Sequence, residues 1–481
     1  MRGREGSLFV QTDARGHWFS RVGRMPVEGS SIELTIDAQI QHIAERELKA
    51  GVQENRAAAG TAVVVDPNTL EILAMASYPT FNPNAYGSAS PSARRNRAIQ
   101  DLYEPGSTFK IVTASAAIEE HLFDTAEIID VSAGQIRFGR RVIRDMGRNP
   151  PLSFTDVLVK SSNVGAIKIG ARVGADRMGL YVRRFGFGKP TSHDFRGESP
   201  GIVWSNLNDS ALASVSMGYQ VGVTPLQVVT AASVVANGGT LYEPRLVRAT
   251  TSPEGLRTAS APTVVRTAIQ PQTAKTLAGI MEQVVLRGTA RRAQIPGYSV
   301  AGKTGTADKL VNGRYSATQQ NVSFVGFVPA RDPVLAVIVM VDSPSAGADT
   351  GGVVAAPIFK RIAEESLRYL GVPSDVNPPP PVIVPRRAAA VTVRAERPVV
   401  PRVLPVSNDP APDLALPDLR GLGAREAVRE LARLGVTPQT RGTGVVVAQQ
   451  PPPGAPIDHG TVCTLVLDRN PPAAMVAGVP E

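Results

Sequence analysis

Behind Asp37, a residue suited to cap a helix, the apolar positions Ile40, Ile43, Ala44 and Leu48 recur at helical spacing, so the segment after residue 37 reads as an amphipathic helix. The period then changes. Residues 61–66 and 70–75 read as two short strands around the turn signal Asp66-Pro67-Asn68. A long central region has helical patterning over 107–118, 163–173 and 225–237 and few strand signals. Strand character returns over 298–301, 322–328 and 334–341, and residues 356–370 read as a closing amphipathic helix with Gly371 behind it. Strands early, helices in the middle and strands late predict an α/β (α+β) domain. One sheet is assembled from both ends of the segment, with a helical subdomain inserted between them.

Residues 373–412 carry 11 prolines in 40 positions, far above the roughly 5% background, and are expected to form a semi-rigid, extended linker without a packed core. Globular patterning resumes over 414–468. A short amphipathic helix is expected over 426–434, ending at Gly435, and strands over 444–448 and 461–467, separated by Pro451-Pro452-Pro453-Gly454. The unit occurs once, which makes it an appended module and not an array. The expected division is 1–56, 57–371, linker 372–412, module 413–469 and a flexible tail, 470–481.

Composition narrows the function. A chain of 481 residues holds two to four compact units, each able to bury a core. The single cysteine, Cys463, excludes a disulfide framework and a cysteine-based metal site, and the five histidines lack ligand spacing, so no metal and no cofactor is expected. A net charge of +9 is too modest and dispersed for nucleic acid and suits an anionic surface such as a membrane or cell wall. No apolar run approaches the roughly 20 residues needed to cross a bilayer, and the longest, 334–341, has strand length.

The chemistry begins at Tyr103-Glu-Pro-Gly-Ser-Thr-Phe-Lys110. Pro105 and Gly106 form a turn that places Ser107 at a helix N-terminus, where free N–H groups favour developing negative charge. Lys110 lies one turn on, within reach of the Ser107 hydroxyl. It can act as a base only if burial or a neighbouring cation lowers its pKa. A bare S-x-x-K occurs about once or twice by chance in a chain of this length, so its meaning depends on context. Lys160-Ser161-Ser162-Asn163 supplies S-x-N, in which Ser161 can shuttle a proton and Asn163 can orient a substrate amide, or which can be an ordinary helix cap. Ala301-Gly-Lys-Thr-Gly-Thr-Ala307 supplies Lys303 and the hydroxyls of Thr304 and Thr306 as a carboxylate-binding strip, with Gly302 and Gly305 permitting close backbone approach. Gly297-x-x-x-x-Gly302-Lys303-Thr304 also matches a phosphate-binding loop, but its β-prone interior and the Gly305-Thr306 that follows are poor context for one.

S-x-x-K, S-x-N and K-T-G in that order are the signature of penicillin-interacting serine enzymes. The text around them, at residues 63–84, 96–110, 217–227 and 323–329, resembles the class B penicillin-binding proteins, the monofunctional peptidoglycan D,D-transpeptidases, and the similarity covers about residues 58–371. Within that family it resembles the division (septal) and sporulation types. The segment from Leu416-Pro-Asp-Leu-Arg-Gly-Leu through Gly454, Gly460 and Leu467 looks like a PASTA domain. The resemblance implies the penicillin-binding transpeptidase (serine β-lactamase-like) fold: an antiparallel sheet flanked by helices, an all-helical subdomain and a small α/β PASTA domain. It also implies catalytic roles for Ser107, Lys110, Ser161, Asn163 and Lys303, with Thr304, Gly305 and Thr306 binding substrate and oxyanion. Lys303 would lower the Lys110 pKa by its positive potential. The implied partners are peptidoglycan stem peptides, β-lactams as inhibitors, and division or elongation membrane proteins, with no nucleic acid.

Two rival functions share these features. A β-lactamase or D,D-carboxypeptidase would hydrolyse the acyl-enzyme, and Glu198 is the candidate for a deacylating carboxylate. A non-catalytic wall-binding division scaffold would rely on the PASTA-like module. Because the implied substrate lies outside the cytoplasmic membrane, the resemblance also leads to the expectation of a native membrane-anchored protein. On that reading residues 1–56 are the remnant of an N-terminal pedestal, and the chain is an N-terminally truncated form or has a misplaced start.

Overall fold

The computed structural model describes residues 3–12, 14–15, 18–138, 141–347, 349–376, 415–442, 444–457 and 461–468. The expected linker beyond residue 376, the tail 470–481 and Gly460 lie outside the described residues. The chain divides into two compact units, one within Met1–Val382 and one within Ile383–Glu481.

In the first unit, helix α1 (Ala38–Glu54) starts where the Asp37 carboxylate accepts the N–H groups of Gln39 and Ile40 at 2.9 and 3.1 Å. Strands β1 (Ala59–Val65) and β2 (Ile72–Tyr78) form the expected hairpin. The chain then leaves the sheet for helices α2 (Lys110–Glu119), α3 (Phe154–Val159), α4 (Asn163–Val173), α5 (Pro225–Ala236) and α6 (Pro271–Arg287). It returns as β3 (Ala301–Val311), β4 (Arg314–Val328) and β5 (Leu335–Asp342), and helix α7 (Ala355–Leu370) closes the unit. The sheet order is β3-β4-β5-β1-β2, antiparallel throughout, so the last strand made, β5, is the one that pairs with β1.

Alternation along β1 builds two hydrophobic layers. Ala62 and Val64 pack with Leu48 of α1 and Phe359 and Leu367 of α7, while Val63 and Val65 pack with the inserted helices around Val229 and Leu277. A strand sandwiched in this way reads as a continuous apolar run, which is why 334–341 stood out in the sequence.

The inserted region is mainly helical but also contains small sheets. Gln135–Phe138 pairs with Arg141–Arg144, Ile128–Ile129 with Leu152–Ser153, and Thr240–Tyr242 with Val264–Thr267. Val247–Thr251 pairs with both Arg257–Ala259 and Ser31–Leu34. Strands of two to five residues are too short to register a period of two. The polar N-terminal segment likewise holds a hairpin, Ser7–Thr12 against Trp18–Arg24. Of the strand expected over 298–301 only Ala301 belongs to one, and β3 runs on through Lys303-Thr304-Gly305.

The second unit packs helix α8 (Ala424–Arg433) on strands β6 (Thr437–Gly442), β7 (Val445–Gln450) and β8 (Val462–Asp468), in the order β6-β8-β7. Strand β6 escaped the sequence reading because Thr-Pro-Gln-Thr-Arg-Gly has no apolar alternation. Cys463 is fully buried with Leu431, Val446 and Leu465, a core residue and not a reactive thiol. Among the described residues no helix is long and apolar enough to cross a membrane.

Candidate active site

Pro105 leads into a single 3-10 turn, Gly106–Phe109, that runs directly into α2, so Ser107 sits at the N-terminal end of a helical run. Edge strand β3 lies against this turn. A side chain at Gly305 would place a Cβ 2.4 Å from Ser323 Oγ, 2.7 Å from the Pro105 carbonyl and 2.9 Å from Thr108 Cγ2, so only hydrogen fits there. The Thr306 carbonyl faces the same turn, 2.6 Å from where a Gly106 Cβ would be. In an antiparallel strand the N–H and C=O of one residue point to the same side. The Thr306 N–H therefore faces the Ser107 turn as well.

Ser161 occupies the short link between α3 and α4 with φ of 59°, in the left-handed region that non-glycine residues rarely enter. Its neighbours hold it there. The Ser162 hydroxyl caps α4 by accepting the Gly165 N–H at 2.9 Å and donates to Asp145 Oδ2 at 2.6 Å. Asp145 Oδ1 accepts the N–H groups of Asn163 and Val164 at 2.5 and 3.0 Å. The helix-cap reading of this motif thus holds for Ser162, while Ser161 and Asn163 are left to face the cleft. Asp145 was missed in the sequence, where it is one acidic residue in a loop with no partner at fixed spacing.

Two buried amines converge on Ser161. Lys110 Nζ donates to the Ser161 carbonyl at 2.7 Å and to Asn163 Oδ1 at 2.9 Å, and lies 3.4 Å from Ser161 Oγ; Lys303 Nζ lies 2.9 Å from the same hydroxyl. Lys110 is 1% and Lys303 0% exposed. Burial penalises the charged form and brings the Lys110 amine down to about 7, against the opposing pull of Asp145. Burial, followed by repulsion from Lys110, pushes Lys303 well below the usual lysine range. Desolvation is therefore the largest cause at Lys110, and the repulsion that the resemblance implied acts within the same buried pair of amines. An amine near 7 is suited to serve as a general base at neutral pH.

The strip on β3 completes the cleft. Thr304 Oγ1 shares a 2.8 Å hydrogen bond with Thr289 Oγ1, and Thr306 Oγ1 accepts the Gly351 N–H at 3.2 Å. Ser107, Ser161, Asn163, Thr304 and Thr306 all line one cavity of about 580 Å³. Its remaining wall includes Tyr219, Thr289, Asp308 and the Thr350–Gly351–Gly352 segment, which no local pattern announces. Lys303 and Thr304 lie inside a strand that is followed by another strand, so the strand–loop–helix of a phosphate-binding loop is absent here. Glu198 does not line this cavity; its carboxylate accepts the Thr191 N–H and hydroxyl at 2.9 and 2.7 Å and the Ser192 N–H at 3.3 Å.

A pH dependence follows. A base must be neutral to accept a proton, so the acylation rate of Ser107 by a β-lactam, measured by stopped flow, is expected to rise about tenfold per pH unit below 7 and to level off above it. Asp145→Asn is expected to move this limb to lower pH, because it removes the charge that favours protonated Lys110. The same change loosens the Ser161 link and is expected to lower the plateau roughly tenfold, since a small misplacement of a catalytic group can cost up to about 10²-fold. A limb that stays in place in Asp145→Asn argues against Lys110 as the titrating group.

Comparison with known proteins gives concordant results. The family described as the penicillin binding protein transpeptidase domain matches residues 60–364, and the PASTA domain family matches residues 415–469. Stage V sporulation protein D of Bacillus subtilis is 37% identical over 382 residues, 77% of this chain and 59% of that protein. The probable peptidoglycan D,D-transpeptidase PbpC of Pseudomonas aeruginosa is 36% identical over 396 residues, 80% of this chain and 68% of that one. The chain thus spans about three-fifths to two-thirds of the length of these relatives. Among solved structures, penicillin-binding protein 3 of Mycobacterium tuberculosis complexed with ampicillin superposes with a TM-score of 0.70 at 32% identity, covering 77% of this chain and 88% of that one. The transpeptidase domain of Burkholderia pseudomallei penicillin-binding protein 3 gives 0.64 at 32% identity, covering 71% and 98%. Sheet, cleft and sequence lead to one conclusion: the chain belongs to the class B penicillin-binding protein transpeptidases and carries a C-terminal PASTA domain.

Proposed function

We propose that this chain is a serine D,D-transpeptidase that cross-links peptidoglycan stem peptides in cell-wall synthesis, at division or in a sporulation process. The observation that carries this reading is the Ser161 hydroxyl held between the Lys110 and Lys303 amines in the cavity that Ser107 lines. Ser107 Oγ attacks the carbonyl between the two terminal D-alanines and gives its proton to neutral Lys110. Ser161 relays a proton to the nitrogen of the departing D-alanine as the C–N bond breaks. Asn163 orients the substrate amide, and Lys303, Thr304 and Thr306 receive the terminal carboxylate. The oxyanion is held by the N–H groups of Ser107 and Thr306, and donors of this type are worth about 3 to 4 kcal/mol each in enzymes where one has been removed. The amine of a second stem peptide then attacks the ester, forms the cross-linking amide and frees Ser107.

Residues 57–371 would be the catalytic domain, working on the outer face of the cytoplasmic membrane beside division or elongation proteins. Residues 413–469 would be the PASTA domain and residues 1–56 a pedestal segment. The engaged carboxylate of Glu198 supports transfer over hydrolysis, because it is not available to activate water at the ester. A fluorescent penicillin is expected to label the protein covalently, with a long-lived adduct, and Ser107→Ala is expected to abolish labelling on a denaturing gel. Persistent labelling of Ser107→Ala would remove the nucleophile assignment, and rapid turnover of a chromogenic cephalosporin would favour the hydrolase.

A further inference from the structure

Away from Ser107, the inserted region encloses a second cavity of about 590 Å³ that shares no lining residue with the first. Arg183, Arg184, Lys189 and Arg266 line it, and no carboxylate does. Several other arginines of this unit are paired with acids, as in Arg172–Glu127 at 2.7 Å, Arg245–Glu71 at 2.6 Å and Arg287–Asp156 at 2.6 Å. None of the four cations has an ion pair among the described residues. Arg184 lies over the Tyr181 ring, 5.0 Å from its centroid, and Arg266 donates to the Arg183 carbonyl at 3.2 Å. Arg183 and Arg184 belong to the last turn of the helix Ala175–Arg184, where its dipole favours cations. That accounts for two of them. Lys189 and Arg266 come from two other segments and converge on the same space.

The interior is shaped for more than a bare ion. Leu180, Trp204 and Val265, 40%, 57% and 43% exposed, give it an apolar wall, and the buried Phe187 and Leu241 also line it. Gln227 fixes the surrounding loops by donating to the carbonyls of Lys189 and Pro200 at 2.9 and 3.0 Å.

We propose that this cavity is a second binding site, for a phosphorylated ligand with a compact ring or other apolar body. The phosphate would lie among the guanidinium groups, whose fork geometry suits its oxygens. The body would lie against Leu180, Trp204 and Val265. Two sources share this chemistry, a soluble phosphate monoester and the phosphodiester of an anionic polymer.

Isothermal titration of the full chain tests the site with phenyl phosphate, inorganic phosphate and benzyl alcohol as probes. Phenyl phosphate is expected to saturate and to bind at least about tenfold tighter than either fragment, because it uses both the apolar wall and the cations. Its affinity is expected to fall as salt is raised. The double variant Arg183→Glu/Arg266→Glu should lose more than about tenfold in affinity. It should keep the wild-type melting temperature and Ser107 acylation rate, since neither residue lines the Ser107 cavity. Displacement of phenyl phosphate by a glycerol phosphate oligomer would assign the site to a polymer, and no displacement would assign it to a soluble monoester. Binding that is equal in wild type and the double variant, or that does not saturate by roughly 10 mM, overturns the proposal.

Discussion

Lys110→Met is expected to slow acylation of Ser107 by about 10²- to 10⁴-fold, the range associated with loss of a positioned general base. Methionine keeps an unbranched apolar stem in a site that is only 1% exposed and removes the amine. The variant leaves the Ser161 carbonyl and Asn163 Oδ1 without the donor that now lies 2.7 and 2.9 Å away, which costs stability. It also relieves the burial of an amine whose charged form is already disfavoured, which offsets part of that loss. Folding should therefore survive while chemistry does not. The measurement is the second-order acylation rate with a fluorescent penicillin at pH 8, next to a thermal melt. A rate within tenfold of wild type would assign the base elsewhere, with Lys303, 2.9 Å from Ser161 Oγ, as the next candidate.

The second large effect is expected from a residue with no chemistry of its own. Gly218 has φ of 87° and accepts the Gly106 N–H on its carbonyl at 3.0 Å. A Cβ there would lie 1.9 Å from the Gly106 carbonyl oxygen and 2.6 Å from its carbon, both backbone atoms that cannot rotate away. Gly218→Ala combines a backbone conformation that costs an L-residue roughly 1 to 2 kcal/mol with a collision that only movement of the Ser107 turn can relieve. A shift of about 1 Å in a reacting group is enough to cost about 10²-fold in rate. The expected result is a lowered melting temperature together with a loss of acylation of that order in the protein that remains folded. Unchanged acylation would show that the turn is more compliant than its packing against β3 indicates.

These two residues differ in how readable they were. Lys110 stands in a motif whose spacing fixes it one helical turn from Ser107, so its place followed from the chain alone. The same holds for α4, found over the residues expected, and for α1 behind its Asp37 cap. The common feature is locality: caps and periods act within a few residues. Asp145, Thr289 and Gly351 reach the site across 17, 15 and 45 residues to Ser162, Thr304 and Thr306. No short window contains both members of such a pair. The two-residue strands at 128–129 and 152–153 were hidden for a related reason, because pairing partners define them and periodicity does not. The balance at Lys110 was legible only in outline. The sequence gives two lysines, and burial decides that desolvation is the larger cause.

The pairing of β5 with β1 has a consequence for how this protein comes into being. Val337 and Ile338 sit opposite Val64 and Val63, more than 270 residues away in sequence. The β1–β2 hairpin therefore waits, with one long apolar edge unpaired, until nearly the whole unit has been synthesised. Closing contacts at such separation is slow, and the exposed edge meanwhile invites wrong partners. The two lysines meet at Ser161 only in the same late step, because Lys303 arrives on β3. Half-made chains thus lack both the complete sheet and the Lys110–Ser161–Lys303 cluster, and the cleft is assembled only by the completion of the fold.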